Sequence, residues 1–136
     1  DFAKAMQAEV SVPLMVTGGF RTRAAMEQAL ASGAADVIGL GRPLCVDTDA
    51  PNALFGGAEE LVRYEDDLDL LPPWLRFLKR FQMVKAINGF AGIYWFYQQL
   101  WMLGHESRVD RGFPVMKAFR LVDARNKRIM KERVAL

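Results

Sequence analysis

Two short stretches combine bare backbone with a permanent cation at the ends of apolar runs. They are Val16-Thr17-Gly18-Gly19-Phe20 and Gly39-Leu40-Gly41-Arg42-Pro43-Leu44. Glycine has no Cβ, so an anion can approach its N–H closely, and positive φ costs it little. A guanidinium placed beside such backbone adds a bidentate clamp that never loses its charge. The chemistry open to Gly18, Gly19, Gly41 and Arg42 together is capture of a phosphate. Each motif alone also has a plainer reading, since Gly-Gly after a strand is often a tight turn and an end-of-strand arginine a surface charge. Their pairing across one structural unit is what points to a ligand.

That unit is legible around them. The run Val12–Thr17, bounded by Pro13 and the glycine pair, reads as a buried strand. Met26, Ala29, Leu30 and Gly33 then fall at helical spacing, with Thr22 as N-cap and Gly33 as the stop. Ala35–Gly41 is a second buried run. Strand, helix and strand with such short connections predict a parallel βαβ unit, and runs apolar throughout predict a sheet covered on both faces. The following helix would direct its positive dipole end toward the rim where Gly18 and Gly19 lie. In a (β/α)8 barrel, phosphate commonly sits after strands seven and eight near a short extra helix, which Arg42–Asp47 could supply.

The order of these elements carries a family pattern. The segment from Val12 to Gly57 resembles the carboxy-terminal end of the old yellow enzyme family, the FMN-dependent NAD(P)H:flavin oxidoreductases. The matching elements are the Gly18-Gly19-Phe20 turn, the run from Ala31 to Leu44, and Asp47, Asp49 and Pro51. The resemblance covers roughly residues 10–57. It implies an α/β fold in which residues 1–57 form the last two β/α units of a (β/α)8 TIM barrel: strand 7, helix 7, strand 8 and the phosphate helix. It further implies that the backbone at Gly18, Gly19 and Gly41 and the Arg42 side chain hold the phosphate of FMN. NAD(P)H would be the reductant, and an electron-poor small molecule the acceptor. That family's flavin-ring contacts and proton donor lie on earlier strands, so no catalytic residue is carried over. Another FMN barrel, such as the α-hydroxy-acid oxidases, is the near alternative, although those usually carry Asp where Thr17 stands. The chain opens without methionine on a stretch that reads as a helix end entering a strand, and the expectation is a piece of a longer protein.

Residues 58–136 read as a helical extension. A short helix is expected over residues 57–63, followed by an acidic segment. A helix opening at Pro73 would carry the stripe Trp74, Phe77, Leu78, Phe81 and Val84. Gly89 should interrupt it, and Gly104 should end the aromatic stretch that follows. A final amphipathic helix is predicted from about Val115 to Arg133, with Met116, Phe119, Val122 and Ile129 inward. Residues 86–104 approach the length of a membrane span, but Asn88, Gln98 and Gln99 are costly in hydrocarbon. A buried helix or a homo-oligomer interface fits them better, with peripheral membrane contact as the alternative. A non-catalytic helical interaction or membrane-docking module is the reading from a different class.

The totals set bounds. At 136 residues, 51% hydrophobic and 25% charged, with net charge +2, the chain has an ordinary globular composition. The basic tail lacks interleaved aromatics, so no nucleic-acid partner is expected. One cysteine, Cys45, excludes an internal disulfide and fits a reducing, cytoplasmic compartment, with membrane association tied to the aromatic segment. The single histidine, His105, lies after the barrel-like region, and the acidic run has no metal-ligand spacing, so no metal is expected.

Overall fold

The computed structural model describes residues 2–134, which divide into two compact units, one ending at Arg63 and the other beginning at Tyr64. The architecture is helix-rich with one small parallel sheet. In the first unit, helix α1 (Phe2–Glu9) precedes strand β1 (Met15–Thr17), helix α2 (Arg23–Ala31) and strand β2 (Val37–Gly39). A 3-10 turn, Arg42–Cys45, and helix α3 (Ala50–Phe55) follow. The strands pair in parallel, with Met15 opposite Val37, Val16 opposite Ile38 and Thr17 opposite Gly39.

Local chemistry sets the limits of α2. The Thr22 hydroxyl accepts from the Ala25 N–H at 3.4 Å, and the helix ends where Gly33 takes φ +66°. Gly33 N–H then donates to the Leu30 carbonyl, and Ala34 N–H to that of Ala29, both at 3.1 Å. This is the double closure that a left-handed residue after a helix permits. Met26 is buried and packs with Ala50 and Leu61, with Phe20, Ile38, Leu40, Leu44 and Leu54 partly buried around them. Asp36 ties the unit's start together: its Oδ2 accepts from Leu14 N–H at 2.8 Å and from the Gln7 amide at 2.7 Å.

Three expectations for this unit need correction. The sheet is not covered on both faces, because Met15 and Val37 are exposed. Leu30, expected on the inner stripe of α2, is also exposed. Residues 57–63 are not helical, and the nearby helix is α3. Their backbone is instead engaged by the start of α2. Leu61 N–H donates to Arg21 O at 2.7 Å, Arg23 N–H to Glu59 O at 2.9 Å, and Thr22 bridges Glu60 in antiparallel sense.

The second unit opens with 3-10 segments at Tyr64–Asp67 and Pro73–Arg80, followed by helix α4 (Gln82–Glu106) and helix α5 (Val115–Val134). Neither Gly89 nor Gly104 breaks α4. Each glycine costs a helix about 1 kcal/mol, but a buried face of Ala91, Trp95, Phe96, Gln99 and Met102 outweighs that. The helix stops at Ser107, which adopts φ +51°. Polar residues on α4 pin the chain around it. Gln99 Nε2 donates to Asp110 O at 2.7 Å while its Oε1 accepts from Asp110 N–H at 2.9 Å. Trp95 Nε1 donates to Phe113 O, and Asn88 bonds Leu68 and Leu70. On α5, Ala118 and Val122 are buried and Phe119 meets Tyr94 edge-on at 5.1 Å. Met116 and Ile129, expected inward, are exposed. Among the described residues no helix is long and apolar enough to cross a membrane.

Candidate functional site

Because β1 and β2 are parallel and Thr17 pairs with Gly39, both strands end at one rim of the sheet. The structure places Gly18 and Gly19 directly after β1, and Gly41 and Arg42 two and three positions after the end of β2. All four residues are exposed.

The glycine pair needs to be glycine for a backbone reason. Gly18 has φ +149° and Gly19 φ +73°, both in the region that L side chains avoid. A Cβ on either would meet no atom within 4 Å, so the space beside this turn is open. Gly41 differs: its φ is −103° and ψ −88°, and it precedes the Arg42–Cys45 turn. Its carbonyl accepts from Leu44 N–H at 3.0 Å, which closes that turn and leaves Arg42 as its first residue. A Cβ at Gly41 would also meet open space.

Two features of the rim lie outside the sequence expectation. Gly39 is the crowded glycine, since a Cβ there would lie 1.8 Å from Thr17 Oγ1 and 2.9 Å from Thr17 Cβ. Its lack of a side chain lets the strands approach, and the Gly-Leu-Gly spacing was the available signal. Arg21, next to the glycine pair, is buried with Nη1 donating to Phe20 O at 2.8 Å. A charged residue following an apolar strand end carries no signal that it will be buried.

The amino end of α2 offers less than its dipole suggested. Arg23 N–H is bound by Glu59 O and Ala25 N–H by the Thr22 hydroxyl. The helix therefore brings its dipole to this rim, while those two donors are engaged within the protein. Cys45 is half-buried, and burial pushes its thiol above the ordinary range, the reverse of an activated nucleophile. His105 lies in the second unit on α4, stacked on Trp101 with ring centroids 4.5 Å apart. Among the described residues no group of three His, Cys, Asp or Glu side chains converges as a metal site would.

A cavity of about 570 Å³ lies elsewhere in the first unit. Met26, Leu30, Ile38, Leu40, Leu44 and Leu54 line it, and none of Gly18, Gly19, Gly41 or Arg42 does. It is a mostly apolar space between α2, β2 and α3, and the cation on its lining, Arg23, is paired with Glu27 at 2.9 Å. The rim is thus an open, exposed backbone turn beside a guanidinium-bearing turn, a donor set suited to a small, hydrated oxyanion.

Comparison with known proteins gives partial matches of one kind. Over 52 residues the chain is 50% identical to a protein of Neonectria sp. (strain DH2) named NADH-dependent flavin oxidoreductase iliE, a match covering 38% of this chain and 7% of that protein. A protein of the same name from Hypocrea jecorina (strain QM6a) is 34% identical over 80 residues, covering 55% of this chain and 20% of that protein. The NADH-dependent flavin oxidoreductase iccE of Talaromyces variabilis is 46% identical over 55 residues, covering 40% and 13%. The matched part is thus a fifth or less of each relative's length. No protein-family profile matches the chain, and no solved structure does. The resemblance to flavin oxidoreductases read from the sequence holds over the matched part.

Proposed function

We propose that this chain forms the phosphate-holding end of an FMN-dependent oxidoreductase of the NAD(P)H:flavin oxidoreductase type. In this reading β1, α2, β2 and the Arg42–Cys45 turn are the last two β/α units of a (β/α)8 barrel. The observation that carries it is the rim itself: two parallel strands end in register, one followed by Gly18-Gly19 and the other by Gly41-Arg42. The partial matches to proteins named NADH-dependent flavin oxidoreductases support the choice of a flavin over other phosphorylated ligands.

The residues present fit the phosphate end of FMN. Backbone at Gly18 and Gly19 turns through positive φ and leaves open space where a side chain would stand, the kind of turn in which successive N–H groups can cradle an anion. Gly41 leaves the second strand end equally uncrowded, and Arg42 supplies a charge that persists at every working pH. Bound flavin would supply the hydride chemistry, taking reducing equivalents from NAD(P)H and passing them to an electron-poor acceptor. The work of this chain is to anchor and orient. Fixing one end of the ligand fixes where its reactive ring lies relative to groups on other strands.

The test separates phosphate from ring. In the protein that joins this chain to the remaining barrel strands, Arg42→Ala should weaken FMN while leaving riboflavin nearly unchanged. Loss of one charge-assisted partner costs about 1.5–3 kcal/mol, or roughly 10- to 150-fold in Kd. Fluorescence titration with both flavins measures it. Equal losses for the two would refute the assignment of Arg42 to the phosphate.

A further inference from the structure

Among the described residues, the outer face of α4 is far more exposed than its apolar composition would lead one to expect. From Ala86 to Gly104 the helix carries no charged residue at all. One side is buried against its own unit through Ala91, Trp95, Gln99 and Met102. The other presents Met83, Ile87, Phe90, Ile93, Tyr97 and Leu100, between 42% and 74% exposed. A helix apolar on both sides is normally covered on both sides.

We infer that this face is the interface between two copies of the chain, paired α4 against α4. Spacing favours a second helix as the occupant. Met83, Phe90 and Tyr97 recur every seven residues, and Ile87, Ile93 and Leu100 fill the intervening positions, the repeat by which two helices seat side chains between one another. Area favours it too. Six side chains of this size at these exposures leave on the order of 700 Å² uncovered, near the ~800 Å² that each partner contributes to a standard interface. A patch of that extent also exceeds what monomers usually expose.

Charge decides against a lipid surface. An interfacial helix borders its apolar stripe with Lys and Arg on the same helix. Between Lys85 and His105, α4 has none. Exposed cations lie at its amino end, Lys85 with Arg76 and Arg80 just before it, and on α5 at Lys117, Arg120, Lys127 and Arg128, and none borders the stripe from Ile87 to Leu100 on the same helix. An isologous α4–α4 contact would therefore bring no charged group of either helix's central stretch into the interface.

Sedimentation velocity of the full chain at micromolar concentration tests this, alongside flotation with vesicles of phosphatidylcholine and phosphatidylserine. The parent should be a dimer that does not float. The pair Phe90→Glu and Leu100→Glu should give a monomer, and Met130→Glu, an exposed change on α5, should leave the dimer intact. Should the glutamates unfold the helix, Phe90→Ala with Leu100→Ala keeps helix propensity and should weaken the dimer by at least roughly tenfold. A monomeric parent, a parent bound to vesicles as monomer, or a dimer indifferent to the alanine pair would overturn the inference.

Discussion

Gly39 offers the sharpest test of how the rim is built. A Cβ added there meets Thr17 Oγ1 at 1.8 Å, Thr17 Cβ at 2.9 Å and Thr17 Cα at 3.4 Å. The hydroxyl can rotate away at the cost of its preferred rotamer. Thr17 Cβ cannot, because it is fixed to the facing backbone. Carbon atoms pack best at about 3.5–4.0 Å, so the strands must separate by roughly half an ångström or more at this pair. Three residue pairs make up the whole ladder, which leaves little to resist the splaying. Gly39→Ala should therefore cost about 1–3 kcal/mol, the usual range for overpacking a fitted contact. Thr17→Gly removes the opposing Cβ and should rescue it. In a double-mutant cycle the two changes should couple favourably by about 1–2 kcal/mol. Trp74, Trp95 and Trp101 all lie in the second unit, so tryptophan fluorescence is blind to this ladder. Urea unfolding must be followed by far-UV circular dichroism, with amide exchange at Val16 and Ile38 as the local readout. An unfolding midpoint equal to the parent's, or strict additivity in the cycle, would refute the crowding argument.

Three further outcomes follow from individual residues. Gly19→Ala meets open space but keeps φ +73°, so it should cost about 1–2 kcal/mol by conformational strain, with no rescue from truncating any neighbour, in the same urea experiment. Ser107→Gly should stabilise the second unit by about 0.5–1 kcal/mol, because Ser107 ends α4 at φ +51°; tryptophan-monitored melts report it, and an unchanged or lower Tm would count against it. Asp36 is held below the ordinary carboxylate range, first by the Leu14 N–H and then by the Gln7 amide. Its depressed value means the stabilisation is fully present above the ordinary value of 3.8 and lost as pH falls through the lower folded value. Parent and Asp36→Ala should thus differ in unfolding midpoint at pH 7 and converge in strongly acid solution; a gap that persists there would assign the effect to packing.

What could be read from sequence was what neighbouring residues decide among themselves. Thr22 and Gly33 were legible as the limits of α2 because capping involves atoms three to five residues apart. The two strands were legible because glycine and proline punctuate apolar runs. The errors share one cause, a distant partner. Gly89 and Gly104 should break a helix on propensity alone, but packing and the bonds from Gln99 to Asp110 hold α4 through both. Residues 57–63 have helical composition, yet their backbone bonds to Arg21 and Arg23. Met15 and Val37 read as buried from pattern, whereas their exposure depends on what packs beside a two-stranded sheet.

At the rim the same division runs through the glycines themselves. Gly18 and Gly19 announce a turn in any sequence, because few other residues tolerate their φ. Gly39 and Gly41 look interchangeable in Gly-Leu-Gly-Arg, and only the register tells them apart. Gly39 faces Thr17 and is required for the strands to meet, whereas a Cβ added at Gly41 would meet no atom within 4 Å. The amino end of α2 keeps its dipole at this rim but has one donor fewer there for a related reason: the N–H of Arg23 is taken by Glu59, far along the chain. If the rim binds phosphate, its donors must then come from the two strand-end turns and Arg42 more than from the amino end of α2. Replacing Thr22 by Ala would discriminate, since it removes the cap of α2 without touching either turn. It should lower stability by about 1 kcal/mol and leave FMN affinity in the complete protein nearly unchanged. An affinity loss matching that of Arg42→Ala would return the helix terminus to the site.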